Sequence, residues 1–139
     1  MNFEPLVSAP LPILIHFFTI VPAFVLGAGL LLVSRKGSAG HRFVGKVYLA
    51  LLAVTAVAAI FIRSPPFFPA LDVGPLRLSP IHLFVPMTVW GLWSALATVR
   101  RGDLKAHREA MIGLYAGGLL VAGALAFLPG RILWRMLFA

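Results

Sequence analysis

Four apolar stretches dominate the chain. They run from about Pro10 to Val33, Val47 to Ile62, Ile81 to Val99 and Ala110 to Leu128. Each reaches the roughly 20 residues that cross a bilayer core, the second by extending back towards His41. A backbone in lipid must satisfy its own polar groups, so the stretches predict helices. Pro10, Pro12 and Pro80 suit a first helical turn, whereas Pro22 and Pro86 fall inside the first and third stretches and predict kinks.

The connections differ in character. Ser34–Gly40 and Arg100–Ala106 are short, polar and basic. Residues 63–79 are longer, with Pro65, Pro66, Pro69 and Pro75 and the aromatics Phe67 and Phe68. Beyond Pro129-Gly130 the tail mixes Arg131 and Arg135 with Ile, Leu, Trp and Phe, the pattern of a short interfacial segment. Glu4 stands where a basic leader region would be, and no small-residue cleavage site follows the first stretch, so that stretch reads as a retained helix.

Composition sharpens this picture. The 139 residues are 60% hydrophobic and only 12% charged, and mean hydropathy is +0.98. So few charges could not cover a soluble domain, which excludes a soluble enzyme, a disordered tail and a nucleic-acid binder. The net charge of +8 is that of basic loops that orient spans against anionic lipid. Arg35, Lys36, Arg42, Lys46, Arg100, Arg101, Lys105 and Arg108 lie on the side of the two short loops. Arg63, Arg77, Arg131 and Arg135 lie on the other. This bias puts the short loops in the cytoplasm and both termini outside. The chain has no cysteine, which excludes disulfides, thiolate metal sites and C-x-x-C-H haem attachment.

The four histidines carry a repeat. His16 and His82 are 66 residues apart, and so are His41 and His107. The same offset aligns Ile15 with Ile81, Phe18 with Phe84, Arg35 with Arg101, Arg42 with Arg108 and Phe61 with Phe127, giving 13 identities in 47 pairs over 15–61 and 81–127. A duplicated helix pair follows, with halves of about 10–62 and 76–128 in a single all-α, four-helix membrane domain over 1–139. In an up-and-down bundle His16 and His82 lie near the outer surface and His41 and His107 near the inner. A twofold axis would set each pair face to face, with the two levels roughly 21 Å apart.

Two facing imidazoles with no covalent tether are what a six-coordinate haem b requires. Arg42 and Arg108, each next to an inner histidine, could pair with haem propionates, and Gly45 leaves room for the macrocycle. Each residue also has a plainer reading. An interfacial histidine can cap or snorkel, and His16 can bond across helices. The glycines allow close helix packing, and the arginines set topology. Tyr48, Tyr115, Trp90 and Trp93 read as packing or interface residues. Zinc is disfavoured, because each level offers only two histidines.

The stretch G-H-R-x-x-G-K-V-Y at Gly40–Tyr48, with S-P-I-H at Ser79–His82, A-H-R at Ala106–Arg108 and L-P-G-R at Leu128–Arg131, resembles a family of small bacterial four-helix membrane proteins of unknown function. The four-histidine pattern is also similar to dihaem b-type transmembrane cytochromes. There the first and third core helices ligate one haem and the second and fourth the other. This resemblance implies haem b, two per chain, with His16, His82, His41 and His107 as axial iron ligands. It implies electron transfer in a bacterial inner (cytoplasmic) membrane, with outer-sphere chemistry at a haem edge and a quinol or redox protein as partner. A homodimer or a place in a larger membrane complex is equally compatible. The alternatives are a non-redox accessory subunit with structural histidines, and a haem or metal transporter.

Overall fold

A computed structural model describes residues 3–63 and 69–138; Pro65, Pro66, Phe67 and Phe68 of the long connection lie outside the described residues. Four long helices form the body. They are α2 (Leu11–Leu32), α3 (Ala39–Ile60), α4 (Phe84–Arg100) and α5 (Leu104–Gly113), the last continuing through a π-helical segment (Leu114–Val121) into α6 (Ala122–Leu125). The short helices α1 (Glu4–Val7) and α7 (Ile132–Phe138) flank them. The spans Leu11–Leu32 and Ala39–Ile60 have 22 residues each, about 33 Å of helix, enough to cross a hydrocarbon core.

Sequential packing closes the bundle. Helix α2 lies against α3, α3 against α4, α4 against α5, and the π segment returns to α2. Helices α2 and α4 are therefore diagonal, as are α3 and the fourth span. Buried Ala23, Leu30, Tyr48, Leu52, Ala95, Met111, Leu114 and Leu119 form the core. No more than 28% of any span is buried inside the molecule, and Phe18, Val25, Leu32, Trp90 and Trp93 are exposed. Such an apolar exterior is stable in lipid and not in water. The chain is a four-helix membrane protein in contact with lipid.

Local chemistry explains the helix ends. Ser38 Oγ accepts from the His41 backbone N–H (3.1 Å) and Asp103 Oδ1 from that of Ala106 (3.0 Å). Helices α3 and α5 thus each begin on a side-chain cap. This moves the start of α3 eight residues before the apolar run, and that of α5 six before. Each short loop turns at a glycine in the left-handed region, Gly37 (φ 77°) and Gly102 (φ 75°). Lys36 Nζ donates to the terminal carbonyls of Leu30 and Leu31, which favours the negative end of the α2 dipole.

Three features differ from the pattern read in the sequence. The third span opens as a 3₁₀ turn, Pro80–Leu83, so Pro86 falls in the first turn of α4 rather than interrupting it. The proline-rich connection holds an antiparallel hairpin, Leu71–Val73 with Leu76–Leu78, and Arg63 donates to the Pro75 carbonyl beside its turn (3.2 Å). The fourth span is π-helical over eight residues, Gly117 and Gly118 among them. The tail forms the short helix α7, which packs on α1, so both ends of the described chain sit at one end of the bundle.

Gly27 and Gly91 both sit at close interhelical contacts. A Cβ at Gly27 would lie 2.6 Å from Tyr115 Cδ2 and 2.8 Å from Tyr48 Cε2, whereas Gly29 has open space. Gly27→Ala is expected to cost roughly 1–3 kcal/mol by overpacking, with Gly29→Ala no less stable than wild type. Thermal unfolding of both variants in detergent checks this.

Candidate functional site

Each histidine is held by a hydrogen bond, and where the partner is a backbone group it fixes which ring nitrogen bears the proton. His107, one turn into α5, is bonded through Nδ1 to the carbonyl of buried Ala95 on α4 (2.8 Å). A carbonyl only accepts, so Nδ1–H donates and Nε2 keeps its lone pair. His16 on α2 does the same to the Thr55 carbonyl of α3 (3.2 Å). His41, in the first turn of α3, pairs Nδ1 with Ser34 Oγ (2.9 Å). A ring held at Nδ1 with Nε2 bare is the arrangement of an oriented metal ligand.

His82 is held differently. Its Nδ1 accepts from the Ser79 backbone N–H (3.0 Å), and Nε2–H donates to the Ile62 carbonyl (3.1 Å). Both nitrogens are in use. The ring caps its own 3₁₀ turn and ties it to the end of α3, closing the connection between the second and third spans.

The inner and outer pairs therefore differ. His41 and His107 lie near the starts of diagonal helices. His16 is held by the Thr55 carbonyl within α3, and His82 by the Ile62 carbonyl just beyond its end. The 66-residue repeat thus does not carry over to the hydrogen bonds. His16 reaches α3 and His107 reaches α4, each within its own helical hairpin, whereas His82 crosses from one hairpin to the other.

The remaining candidates lie around this frame. Arg42 and Arg108 are exposed, and among the described residues neither side chain makes a hydrogen bond or ion pair. Gly45 has nothing within 4 Å of a Cβ position. A groove of about 270 Å³ lies between α4 and the fourth span, lined by Met87, Thr88, Gly91, Gly117 and Gly118 among others, with no histidine on its wall. Among the described residues no three His, Asp or Glu side chains converge to hold a metal ion.

Several polar partners carry no signal in the sequence. Ser34, Thr55 and Ser79 act through contacts that depend on how the helices are staggered. Thr55 also bonds through Oγ1 to Thr19 Oγ1 (2.7 Å), which fastens α2 to α3. Tyr48 lies deeper in the core than an interface residue would. It is 1% exposed, packed on Gly27 beside Tyr115, and among the described residues its hydroxyl has no hydrogen-bond partner. A buried hydroxyl left unpaired costs about 1–3 kcal/mol.

His82→Ala is expected to leave the Ser79 N–H and the Ile62 carbonyl unpaired at the end of α3. We expect a loss of roughly 1–3 kcal/mol, seen as a lower midpoint of thermal unfolding and faster proteolysis of residues 63–79. An unchanged midpoint would show that these bonds do not tie the connection.

No curated protein and no solved structure matches the chain. The apolar spans, the closed bundle and a match over residues 13–137 agree: the chain belongs to the DUF2306 family of predicted membrane proteins.

Proposed function

We propose that this protein carries electrons in a membrane through haem b, with His41 and His107 as the site that the geometry supports best. One observation carries the reading: two histidines near the starts of diagonal helices are each hydrogen-bonded at Nδ1, and among the described residues neither Nε2 has a partner. When bound, haem supplies one-electron redox chemistry that no side chain here could provide. The residues of this chain do the rest. Ser34 and the Ala95 carbonyl orient the two rings, and the four-helix core excludes water. Arg42 and Arg108 stand at the cytoplasmic edge, where a guanidinium can pair bidentately with a carboxylate. The location that goes with this reading is a bacterial inner membrane, with a quinol or a redox protein as electron donor or acceptor.

The outer pair fits less well. His16 presents a bare Nε2, but His82 would have to break its bond to the Ile62 carbonyl for Nε2 to act as a ligand, or its bond from the Ser79 N–H for Nδ1 to do so. A second haem at His16 and His82 therefore requires one of these bonds to open. This favours a second reading for the outer level: His16 and His82 are structural, as all four would be in a non-redox accessory subunit.

A visible spectrum and a haem assay of the purified chain test both readings. We expect low-spin, six-coordinate bands in the reduced protein, lost in His41→Ala and in His107→Ala and retained in His82→Ala. Loss of haem in His82→Ala alongside the inner variants would place His82 among the ligands. Stable, colourless protein from haem-replete cells would leave the accessory-subunit reading. Arg42→Gln and Arg108→Gln should lower the midpoint potential of bound haem, because a cation near the propionates favours the form with one less positive charge at iron. Unchanged midpoints at full haem content would leave these arginines to topology alone.

A further inference from the structure

A second groove, of about 290 Å³, follows the seam between α3 and α4. Its floor is apolar: Leu49, Ala50 and Ala53 come from α3, and Leu92 and Leu96 from α4. It opens towards lipid, since Ala50, Ala53 and Leu96 are exposed. Among the described residues, the one charged side chain on its wall is Lys46. Positions 46, 50 and 53 descend one face of α3, so the groove runs about 10 Å from Lys46 towards the membrane centre. Positions 92, 96 and 100 share a face of α4, which runs the opposite way. Arg100, the last residue of α4, therefore stands at the cytoplasmic end of the same seam.

The 66-residue repeat supplies an internal comparison. The equivalent seam lies between the fourth span and α2, which are in contact. There Ile112 stands in place of Lys46, Ser34 in place of Arg100, Tyr115 in place of Leu49 and Leu119 in place of Ala53. That seam is filled: Leu119 is buried, as is Leu30, the counterpart of Leu96, and Tyr115 packs against the core. In the α3–α4 seam Ala53 leaves the space that Leu119 takes up, and Leu96 is 38% exposed. Cations and open space thus occur together in one seam, and both are missing from the other.

Topology and snorkelling account for a lysine near a helix start, and the α4 dipole favours Arg100 at its C-terminal end. Neither accounts for open apolar space directly below the lysine. Lys46 is seven residues into α3, further from a helix start than Arg42, Lys105 or Arg108. Among the described residues its ammonium has no hydrogen bond or ion pair, and Asp103 is engaged in capping α5. An ionised group at membrane depth marks a site whose partner carries the opposite charge. Basic pockets between spans on the cytoplasmic side suit anionic lipid head groups.

We propose that the α3–α4 seam binds one anionic phospholipid of the cytoplasmic leaflet. Lys46 and Arg100 hold its phosphate, and an acyl chain lies along the groove over Ala50, Ala53 and Leu96. Lys46 supplies the charge and Ala53 the space, so head group and chain are recognised together. A free phosphate has no chain to place there, and a zwitterionic lipid brings its own cation to the two basic residues. The bound lipid bridges the two helical hairpins, which makes it a ligand that stabilises the folded bundle. The proposal is independent of haem, since neither Lys46 nor Arg100 takes part in that reading.

The test uses the full chain, delipidated in detergent, with native mass spectrometry to count bound lipid and thermal unfolding recorded alongside. With added phosphatidylglycerol, wild type should retain one lipid per chain, and its unfolding midpoint should rise. Phosphatidylcholine with the same chains should bind severalfold more weakly, and inorganic phosphate should not displace the lipid. Lys46→Gln and Arg100→Gln should each weaken phosphatidylglycerol binding roughly fivefold, the equivalent of about 1 kcal/mol per cation. Ala53→Leu, which copies the filled seam without changing charge, should also weaken it severalfold. Lys105→Gln, on the same membrane face but outside the groove, should bind like wild type. Circular dichroism and a monodisperse elution profile establish that each variant is folded. Equal affinity for the two lipids, displacement by inorganic phosphate, or a folded Ala53→Leu that binds like wild type would overturn the proposal. So would equal losses in Lys46→Gln and Lys105→Gln, the mark of diffuse surface charge. None of these results bears on the haem assay, so the two readings stand or fall separately.

Discussion

The absence of water from the bilayer core is the constraint on which this molecule depends. Every polar group at depth must find its partner inside the protein or go unpaired. The backbone meets this demand by coiling into four helices. The side chains meet it by bonding to one another or to carbonyls of neighbouring helices. His107 on Ala95, His16 and Thr19 on Thr55, and His82 on Ile62 are all answers to that demand. Among the described residues the Tyr48 hydroxyl lacks one.

The same constraint makes the two halves of the chain unequal. Duplication copies residues, but a hydrogen bond depends on the axial stagger of two helices, and each hairpin has its own. The first hairpin is regular α-helix throughout. The second begins with a 3₁₀ turn and ends its long span in a π segment. These departures shift equivalent positions in height and rotation. His82, the sequence counterpart of His16, consequently became a cap and a tie at the end of α3. His41 and His107 diverge less, because both lie near the starts of helices that begin on side-chain caps, although one is held by a hydroxyl and the other by a carbonyl.

Polar partners also bear on what the histidines can do. A ring that donates from Nδ1 to a carbonyl is held in one orientation and keeps its Nε2 lone pair, so a structural bond and a ligand role are compatible. A ring with both nitrogens bonded is a structural element until one bond breaks. His107 and His16 belong to the first kind and His82 to the second, while His41 is held at Nδ1 by the Ser34 hydroxyl. The distinction rests on a few ångströms and would be invisible in any list of conserved residue types.

The sequence by itself determined the membrane class, the four spans, the basic short loops and the paired spacing of the histidines. Hydropathy and charge are local sums, and lipid reads them locally. Helix starts at Ala39 and Leu104 were blurred only because polar first turns held by Ser38 and Asp103 do not look apolar. The tertiary structure alone decided the hairpin at Leu71–Leu78, the π segment, the burial of Tyr48 and the partner of every histidine. Each of these depends on which groups from distant parts of the chain meet at the same depth. Spacing along one helix fixes which face a residue occupies, but not which carbonyl of the next helix stands opposite it.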